Sequence, residues 1–581
     1  MCRRAADAPL QNLCRYLWGK PCPYQAKFSI IYQKCSLKNK GFTQMNKKYF
    51  INYLILLLPS IIIGGLLAYS GDVTDGLKIG FLSLLGNAFI ALFHKKRSKI
   101  YLVLAILWYA LFLLHSMTLS ATWLLYNSKI NAYFIVQSIA NTSLNEATEY
   151  FTHSLPYLGV ASAIFVGLGM LSYFLFTKIY NRDCPLVQKN QKSTWILPII
   201  IGLLCVTAWA IKPIRAVSPP IFWRNYVKSI QQFKAQLVEH KNWQHNWTQY
   251  AQPNISKLPN FQEKQTIILI ISESLTSYNL HSCGYPRHTN PNMFAVQNEL
   301  TIFCNAYSGY PSTLGAVKSI LTDVPAAQPE YVPTKSILAD AKSAGFKTFW
   351  LSNQDDSYIA SLFGAFTDQA IYNNKRSGRS SFAKDEELFP LVKNALADNA
   401  PKKLIVVHLI GSHPNYSARY TDKFKLFPTQ DNAQEQPVQA QLAQINASSW
   451  TKNLRDEYDN SVAYQDWVFN NIFTMLKQDK AESRGLIFLS DHGNEVGHVK
   501  DFAGHSPTTQ AGYRIPVVLW HNQLALPKGA NQDKAIDATQ LDDNLRFMIG
   551  LQDKTNTAFV PWWADNYQFP SNAKFPYWEN L

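Results

Sequence analysis

Five long apolar segments crowd the first third of this 581-residue chain, and they constrain its fold more than any other feature. They lie at roughly 50–69, 77–93, 101–120, 155–176 and 195–211. Each comes near the ~20 residues that a helix needs to cross a bilayer, the second being short. A backbone in lipid must satisfy its own polar groups, so such runs are expected to be helices. Cations orient them. Lys47 and Lys48 precede the first segment, His94-Lys95-Lys96-Arg97-Ser98-Lys99 joins the second to the third, and Lys178, Arg182, Lys189 and Lys192 lie between the fourth and fifth. The opposite loops, around Asp72 and Asp75 and across 121–154, carry few cations. Lys212 and Arg215 break the rule, but the summed bias places the N-terminus in the cytoplasm. An odd number of spans then puts the rest of the chain outside.

The net charge of +16 fits this arrangement. Much of the excess is local to residues 1–44, where eight cations stand against Asp7 alone. The charge therefore reads as membrane topology plus an anionic substrate, and no nucleic-acid motif is visible. Residues 1–44 lack an apolar core and are not a signal peptide. Met45-Asn46-Lys47-Lys48 reads as a natural start, which makes 1–44 a basic extension ahead of a transmembrane domain at 45–212. Residues 213–262 mix Trp223, Tyr226, Phe233, Trp243 and Trp247 with Lys and Arg, the composition of a linker lying along lipid headgroups.

From 263 to 581 the pattern changes to short β-branched runs alternating with amphipathic stretches. Strands are expected at Thr266–Ser272, Lys347–Leu351, Leu404–Leu409 and Leu486–Ser490, and helices at 314–322, 335–343 and 456–477. Such alternation implies a mostly parallel sheet covered on both faces. Residues 421–450, rich in Gln and Ala, read as a surface insertion. Cys283 and Cys304 are the only cysteines after residue 205, so at most one bridge is available there.

Ligands of an open parallel sheet bind beyond the carboxyl ends of its strands. Ser272-Glu273-Ser274, Gly411-Ser412-His413 and Asp491-His492-Gly493 all sit at such ends, and Gly504-His505-Ser506-Pro507 follows. Taken singly, each fits a turn, a helix cap or a loop. Together they can converge, and a mixture of imidazole and carboxylate without thiolate suits zinc.

These residues carry a resemblance. Ser490-Asp491-His492-Gly493, with Glu495 after it and His505-Ser506-Pro507, resembles the alkaline phosphatase and sulfatase superfamily. Ile271–Thr276 and Gly284–Pro291 are similar to the start of the catalytic domain in phosphoethanolamine transferases, as are His408–His413 and Tyr458-Asp459-Asn460-Ser461. The likeness covers roughly residues 45–560. It implies five transmembrane helices followed by a periplasmic α/β/α sulfatase-like domain. It further implies a zinc-bound Thr nucleophile at a helix start, for which Thr313 in Tyr310-Pro311-Ser312-Thr313-Leu314-Gly315 fits, with Ser312 as its neighbour.

On that resemblance Glu273, Thr313, Asp491 and His492 hold Zn2+. His413 and His505 bind a second zinc or the phosphoryl oxygens, and one of them moves the acceptor's proton. Thr142 and Glu146, in a segment similar to one that borders the ethanolamine headgroup, bind the donor, although Ser138 stands where the family often has Asn. The donor is phosphatidylethanolamine, and the acceptor is a hydroxyl of an envelope glycolipid, glycan or protein. Cysteines that flank the nucleophile in lipid A enzymes are absent here, with Ser308 and Ser319 nearby. A phosphoglycerol transferase of the same superfamily and an inactive membrane sensor are the competing readings. A true sulfatase is disfavoured, because Cys283-Gly284-Tyr285-Pro286-Arg287 has its proline one place late.

Overall fold

The computed structural model describes residues 58–92, 99–126, 129–130, 135–136, 139, 144–180, 196–236, 239–328, 331–354, 357–373 and 383–570. The chain divides into two compact units, one of Met1–Thr118 with Ser162–Ile221, the other of Leu119–Ala161 with Phe222–Leu581. The basic extension 1–44 and its junction at Met45 lie outside the described residues.

Helices occupy part of each of the five expected apolar segments: α1 (Leu58–Ser70), α2 (Val73–Leu92), α3 (Lys99–Tyr126), α4 (Leu144–Tyr180) and α5 (Ile196–Ala210). Among the described residues, α2, α3 and α4 are long and apolar enough to cross a membrane; Leu58–Ser70 and Ile199–Ala210 are shorter apolar helices. In the first unit small residues let α1 and α2 approach. A Cβ on Gly64 would lie 2.7 Å from the Gly76 carbonyl, and Gly76 and Gly80 share one helix face. Polar side chains pair inside the bundle. Ser60 Oγ lies 3.1 Å from Ser83 Oγ, and Ser116 Oγ donates to the Ile63 carbonyl at 2.6 Å. The outward residues of α3, Leu104, Leu107, Leu111 and Leu114, are exposed, as a lipid-facing stripe requires.

The second unit is built on an eight-stranded sheet. Its strands are β1 (Gln265–Ser272), β2 (Thr301–Tyr307), β3 (Lys347–Ser352), β4 (Gln369–Tyr372), β5 (Lys402–His408), β6 (Ser483–Ser490), β7 (Arg514–His521) and β8 (Gly529–Asp537). Their order is β8-β2-β7-β6-β1-β5-β3-β4, and only β7 runs antiparallel to its neighbours. Central β1 is buried at all eight positions, because helices cover both faces. Ile267, Leu269 and Ile271 join one apolar layer, Ile268 and Ile270 the other. The four expected strands are present, and β2, β4, β7 and β8 are additional.

Two readings are corrected. The helix α6 (Pro219–Gln236) packs Phe222, Trp223, Tyr226 and Ile230 on Ile130, Ile135 and Val136. The next helix, α7 (His240–Asn254), is no headgroup segment. Trp243 and Trp247 are buried in the sheet's own core, and Trp247 Nε1 donates to the Pro333 carbonyl at 3.1 Å. A strand at Ile255–Lys257 then pairs with Leu551–Asp553, so this domain reaches back to about residue 240. Residues 421–450 are likewise more than a surface insertion. Their helix α10 (Asn432–Gln444) buries Val438 and Leu442 against Tyr285, and Glu435 holds the fully buried Arg287. Cys283 and Cys304 form a disulfide.

Candidate catalytic and metal centre

The sheet brings its functional side chains to one edge because β1, β5 and β6 are adjacent and parallel. Glu273 follows β1, and Asp491 and His492 follow β6. The Asp491 N–H donates to the Ser272 carbonyl (3.0 Å), which continues the ladder one residue past the strands. The chain then turns sharply. Ser274 adopts φ 60°, a left-handed conformation that non-glycine residues hold only when their surroundings fix it. Here the Ser274 N–H donates to Asp491 Oδ1 (3.2 Å) and its hydroxyl to Glu273 Oε1 (2.8 Å). Across the site Gly411 has φ 53°, and a Cβ there would meet the Glu273 backbone at 2.7 Å, so only glycine fits.

Glu273, Asp491 and His492 are fully buried, and their ligand atoms lie within 4.8 Å of one another. His492 Nε2 is 3.2 Å from Glu273 Oε1 and 3.6 Å from Asp491 Oδ2. Its Nδ1 lies 2.9 Å from the Gly493 carbonyl. A carbonyl only accepts, so Nδ1 carries a proton and Nε2 is the nitrogen turned to the carboxylates. Glu273 also closes a second group with His413 and His505. His505 Nε2 lies 4.0 Å from Glu273 Oε1, and the His492 and His505 rings are 4.5 Å apart.

Thr313 opens helix α8 (Thr313–Leu321), and its hydroxyl donates to Glu273 Oε2 at 3.0 Å. Ser312 is the N-cap residue, yet its side chain makes no capping bond and its buried Oγ has no hydrogen-bond partner. Of the two adjacent hydroxyls, Thr313 is the one aimed at the carboxylate.

Electrostatics marks the cluster as incomplete. Burial would raise Glu273, but the facing His492, with His413 and His505, holds its carboxyl well below the usual range. Burial and the charge of Glu273 push Asp491 well above it. Burial would depress His492, but Asp491 and Glu273 outweigh that and push it up to about 9. Burial and the charge of His492 hold His505 well below its ordinary value. Without a cation the carboxylates must share a proton with the imidazole. Asp491 Oδ2 and His492 Nε2 are buried without hydrogen-bond partners. Two carboxylates, an imidazole nitrogen and a hydroxyl converging in this way form a donor set suited to a divalent metal.

One contact escaped the sequence reading. Gln354 Nε2 donates to Glu273 Oε2 at 3.1 Å, the oxygen that Thr313 also contacts. It follows β3, a fourth strand end, and the same strand-end argument would have found it. His408 is buried, with Nδ1 3.4 Å from Ser352 Oγ, and burial lowers it to about 4, as a structural imidazole. His498 lies 2.8 Å from Asn279 Oδ1, and His281 and His288 stack away from these groups with ring centres 4.1 Å apart. Ser138, Thr142 and the side chain of Glu146 lie outside the described residues.

The sulfatase family model matches residues 265–543. Phosphoethanolamine transferase EptC of Escherichia coli (strain K12) is 27% identical over 525 residues, covering 84% of this chain and 85% of the relative. Phosphoethanolamine transferase CptA of Salmonella typhimurium (strain LT2) is 29% identical over 296 residues, 48% of this chain and 50% of the relative. Among solved structures, the integral membrane protein lipooligosaccharide phosphoethanolamine transferase A from Neisseria meningitidis matches with a TM-score of 0.52 at 19% identity, covering 82% of this chain and 96% of that one.

Proposed function

Because this chain belongs to the phosphoethanolamine transferase family, we propose that it moves phosphoethanolamine from phosphatidylethanolamine to a hydroxyl of a cell-envelope acceptor, through a covalent adduct on Thr313. The carrying observation is the Thr313 hydroxyl, at the start of a helix and 3.0 Å from Glu273 Oε2, within reach of Asp491 and His492 through that shared carboxylate. Five spans of a bacterial inner membrane, with the catalytic unit in the periplasm, would give it access to a lipid donor and to an envelope acceptor.

Glu273, Asp491, His492 and Thr313 would hold Zn2+, which when bound lowers the pKa of a coordinated hydroxyl. In the first half-reaction the Thr313 oxygen bonds to the donor phosphorus and the bond from phosphorus to the diacylglycerol oxygen breaks. That oxygen takes up a proton and diacylglycerol leaves. In the second half the acceptor oxygen attacks the same phosphorus, its proton is removed, and Thr313 is released. The free N–H groups at the start of α8 face the phosphoryl oxygens. His413 and His505 would bind phosphoryl oxygens, and one of them would take the acceptor's proton. Thr142 and Glu146 are proposed to hold the donor headgroup.

The test is transfer from labelled phosphatidylethanolamine, with phosphatidylglycerol in parallel, followed by intact-mass measurement. Wild type should gain one phosphoethanolamine, and Thr313→Ala none. An adduct that persists in Thr313→Ala moves the nucleophile elsewhere, and a phosphoglycerol adduct replaces the donor assignment.

A further inference from the structure

The 29-residue helix α11 (Ser449–Lys477) supplies none of the acidic or histidine side chains described above, yet it reaches two of the strand ends that carry them. Gln465, 1% exposed, does this with one carboxamide. Its Oε1 accepts from Ser272 Oγ, and its Nε2 donates to Ser412 Oγ. Ser412 Oγ is 2.6 Å from Ser461 Oγ, which donates to the Tyr458 carbonyl at 2.7 Å. A hydroxyl has one hydrogen to give. Ser461 directs its hydrogen at Tyr458, so Ser412 donates to Ser461 and accepts from Gln465. The relay Ser272, Gln465, Ser412, Ser461 therefore runs in one sense, with each hydroxyl hydrogen used.

The positions matter more than the bonds. Ser272 directly precedes Glu273, and Ser412 directly precedes His413. The Ser412 N–H also donates to the Glu273 carbonyl at 3.0 Å, so the two segments touch at their backbones. Glu273 is held further by a strand paired on both sides and by Ser274, Thr313 and Gln354. His413 follows a loop in which the Ile410 and Gly411 N–H groups rest on Asp385. Gln465 ties that loop back to β1.

We propose that Gln465 is a positioning residue: it sets the separation of His413 from Glu273, and through it the geometry of the Glu273–His413–His505 group, while the Glu273–Asp491–His492 group stands without it. This rests on the transferase reading only in giving His413 a part in turnover. Such a clamp acts in the manner of outer-shell residues that orient ligands they do not replace. A methionine fills the same space but offers neither bond.

The experiment uses the full-length chain in detergent, loaded with zinc, as wild type, Gln465→Met, Ser412→Ala and the double variant. Zinc retained after dialysis against graded chelator is measured beside kcat and KM for phosphatidylethanolamine. In Gln465→Met the most tightly held zinc should be retained as in wild type, and kcat should fall about tenfold with KM unchanged. The Gln465→Met and Ser412→Ala losses should not add, because both cut one tie. Unchanged kcat, additive losses, or release of the tightest zinc together with activity would each overturn the proposal. If wild type transfers nothing from phosphatidylethanolamine, the transferase reading fails. The cycle is then read on hydrolysis of a chromogenic phosphodiester and on zinc retention, where the same three results apply.

Discussion

Two buried clusters of charge in the catalytic unit invite comparison, around Arg287 and around Glu273. In both the central side chain is fully buried. Arg287 brings a permanent cation, and each of its three nitrogens faces an acid. Nε and Nη2 donate to Glu435 (3.0 and 2.6 Å), Nη1 to Asp459 (2.7 Å), and Asp456 lies 2.6 Å from Nη2. Asp459 accepts further from Asn279 Nδ2 and Tyr285 Oη, both at 2.6 Å. The Glu273 cluster is made of carboxylates and imidazoles; Arg419 donates to the His413 carbonyl (3.1 Å) and not to Glu273 or Asp491, and Asp491 Oδ2 and His492 Nε2 make no hydrogen bond. A buried charge is tolerated when it is paired. The first cluster carries its own cation, although Asp456 Oδ1 makes no hydrogen bond there, whereas the second, among the described residues, holds no Arg or Lys at its ligand atoms and is suited to receive a cation.

The largest effect that would break this comparison is on the arginine. Arg287→Met leaves three carboxylates around an apolar side chain, and removing one partner of a buried pair costs about 3–5 kcal/mol. The catalytic unit should lose that much in urea unfolding. If the variant unfolds as wild type does, Arg287 is not what balances those acids.

A change of pH should sharpen the contrast from the other side. In metal-stripped protein the His492 pKa lies at about 9, above its unfolded value of about 6.5. The folded state then binds the proton more tightly, so its stabilisation is complete below about pH 6.5 and is lost as pH rises through about 9. At roughly 1.4 kcal/mol per unit the full loss is about 3.5 kcal/mol. Zinc bound to Nε2 would displace that proton, so the loaded protein should show no such decline from this group. Unfolding midpoints of stripped and loaded protein across pH 6–9.5 check this. Parallel curves would mean that His492 is not a metal ligand.

How legible the two clusters were follows from the same difference. Glu273, His413, Asp491 and His492 could be read because each follows a β-branched run, and a strand end is visible in a single stretch of sequence. Thr313 needed the family resemblance, since a Thr at a helix start is equally an ordinary cap. The Arg287 cluster was invisible. Its partners sit about 150 and 170 residues away on helices α10 and α11, and the α10 stretch lacks an apolar period because only Val438 and Leu442 are buried there. Trp243 and Trp247 were misread for a related reason. Aromatics among cations suit a lipid surface, but only the tertiary fold reveals the sheet face waiting for them. Strands β4 and β8 mix polar and apolar positions, whereas β7 holds an apolar run from Ile515 to Trp520 that contains Pro516, a residue that argues against an interior strand.

The smallest expected effect is the most discriminating. Glu435 is one of two partly exposed acids on Arg287, at 12% for its side chain against 18% for Asp456, and the only one supplied by α10. Glu435→Gln keeps the shape and one acceptor oxygen but removes the charge and turns an NH2 toward the guanidinium or toward Thr429, whose N–H donates to Glu435 Oε1 at 2.8 Å. Asp456 and Asp459 still balance Arg287, so the cost should be about 1 kcal/mol. The first cluster has redundant acids and can lose one. Glu273 has no such substitute, because it is the carboxylate common to both ligand groups. Glu435→Gln should therefore leave kcat and bound zinc unchanged while lowering the unfolding midpoint slightly. A fall in kcat with stability intact would show that α10 acts on the catalytic centre, and that the clusters are coupled where their chemistry keeps them apart.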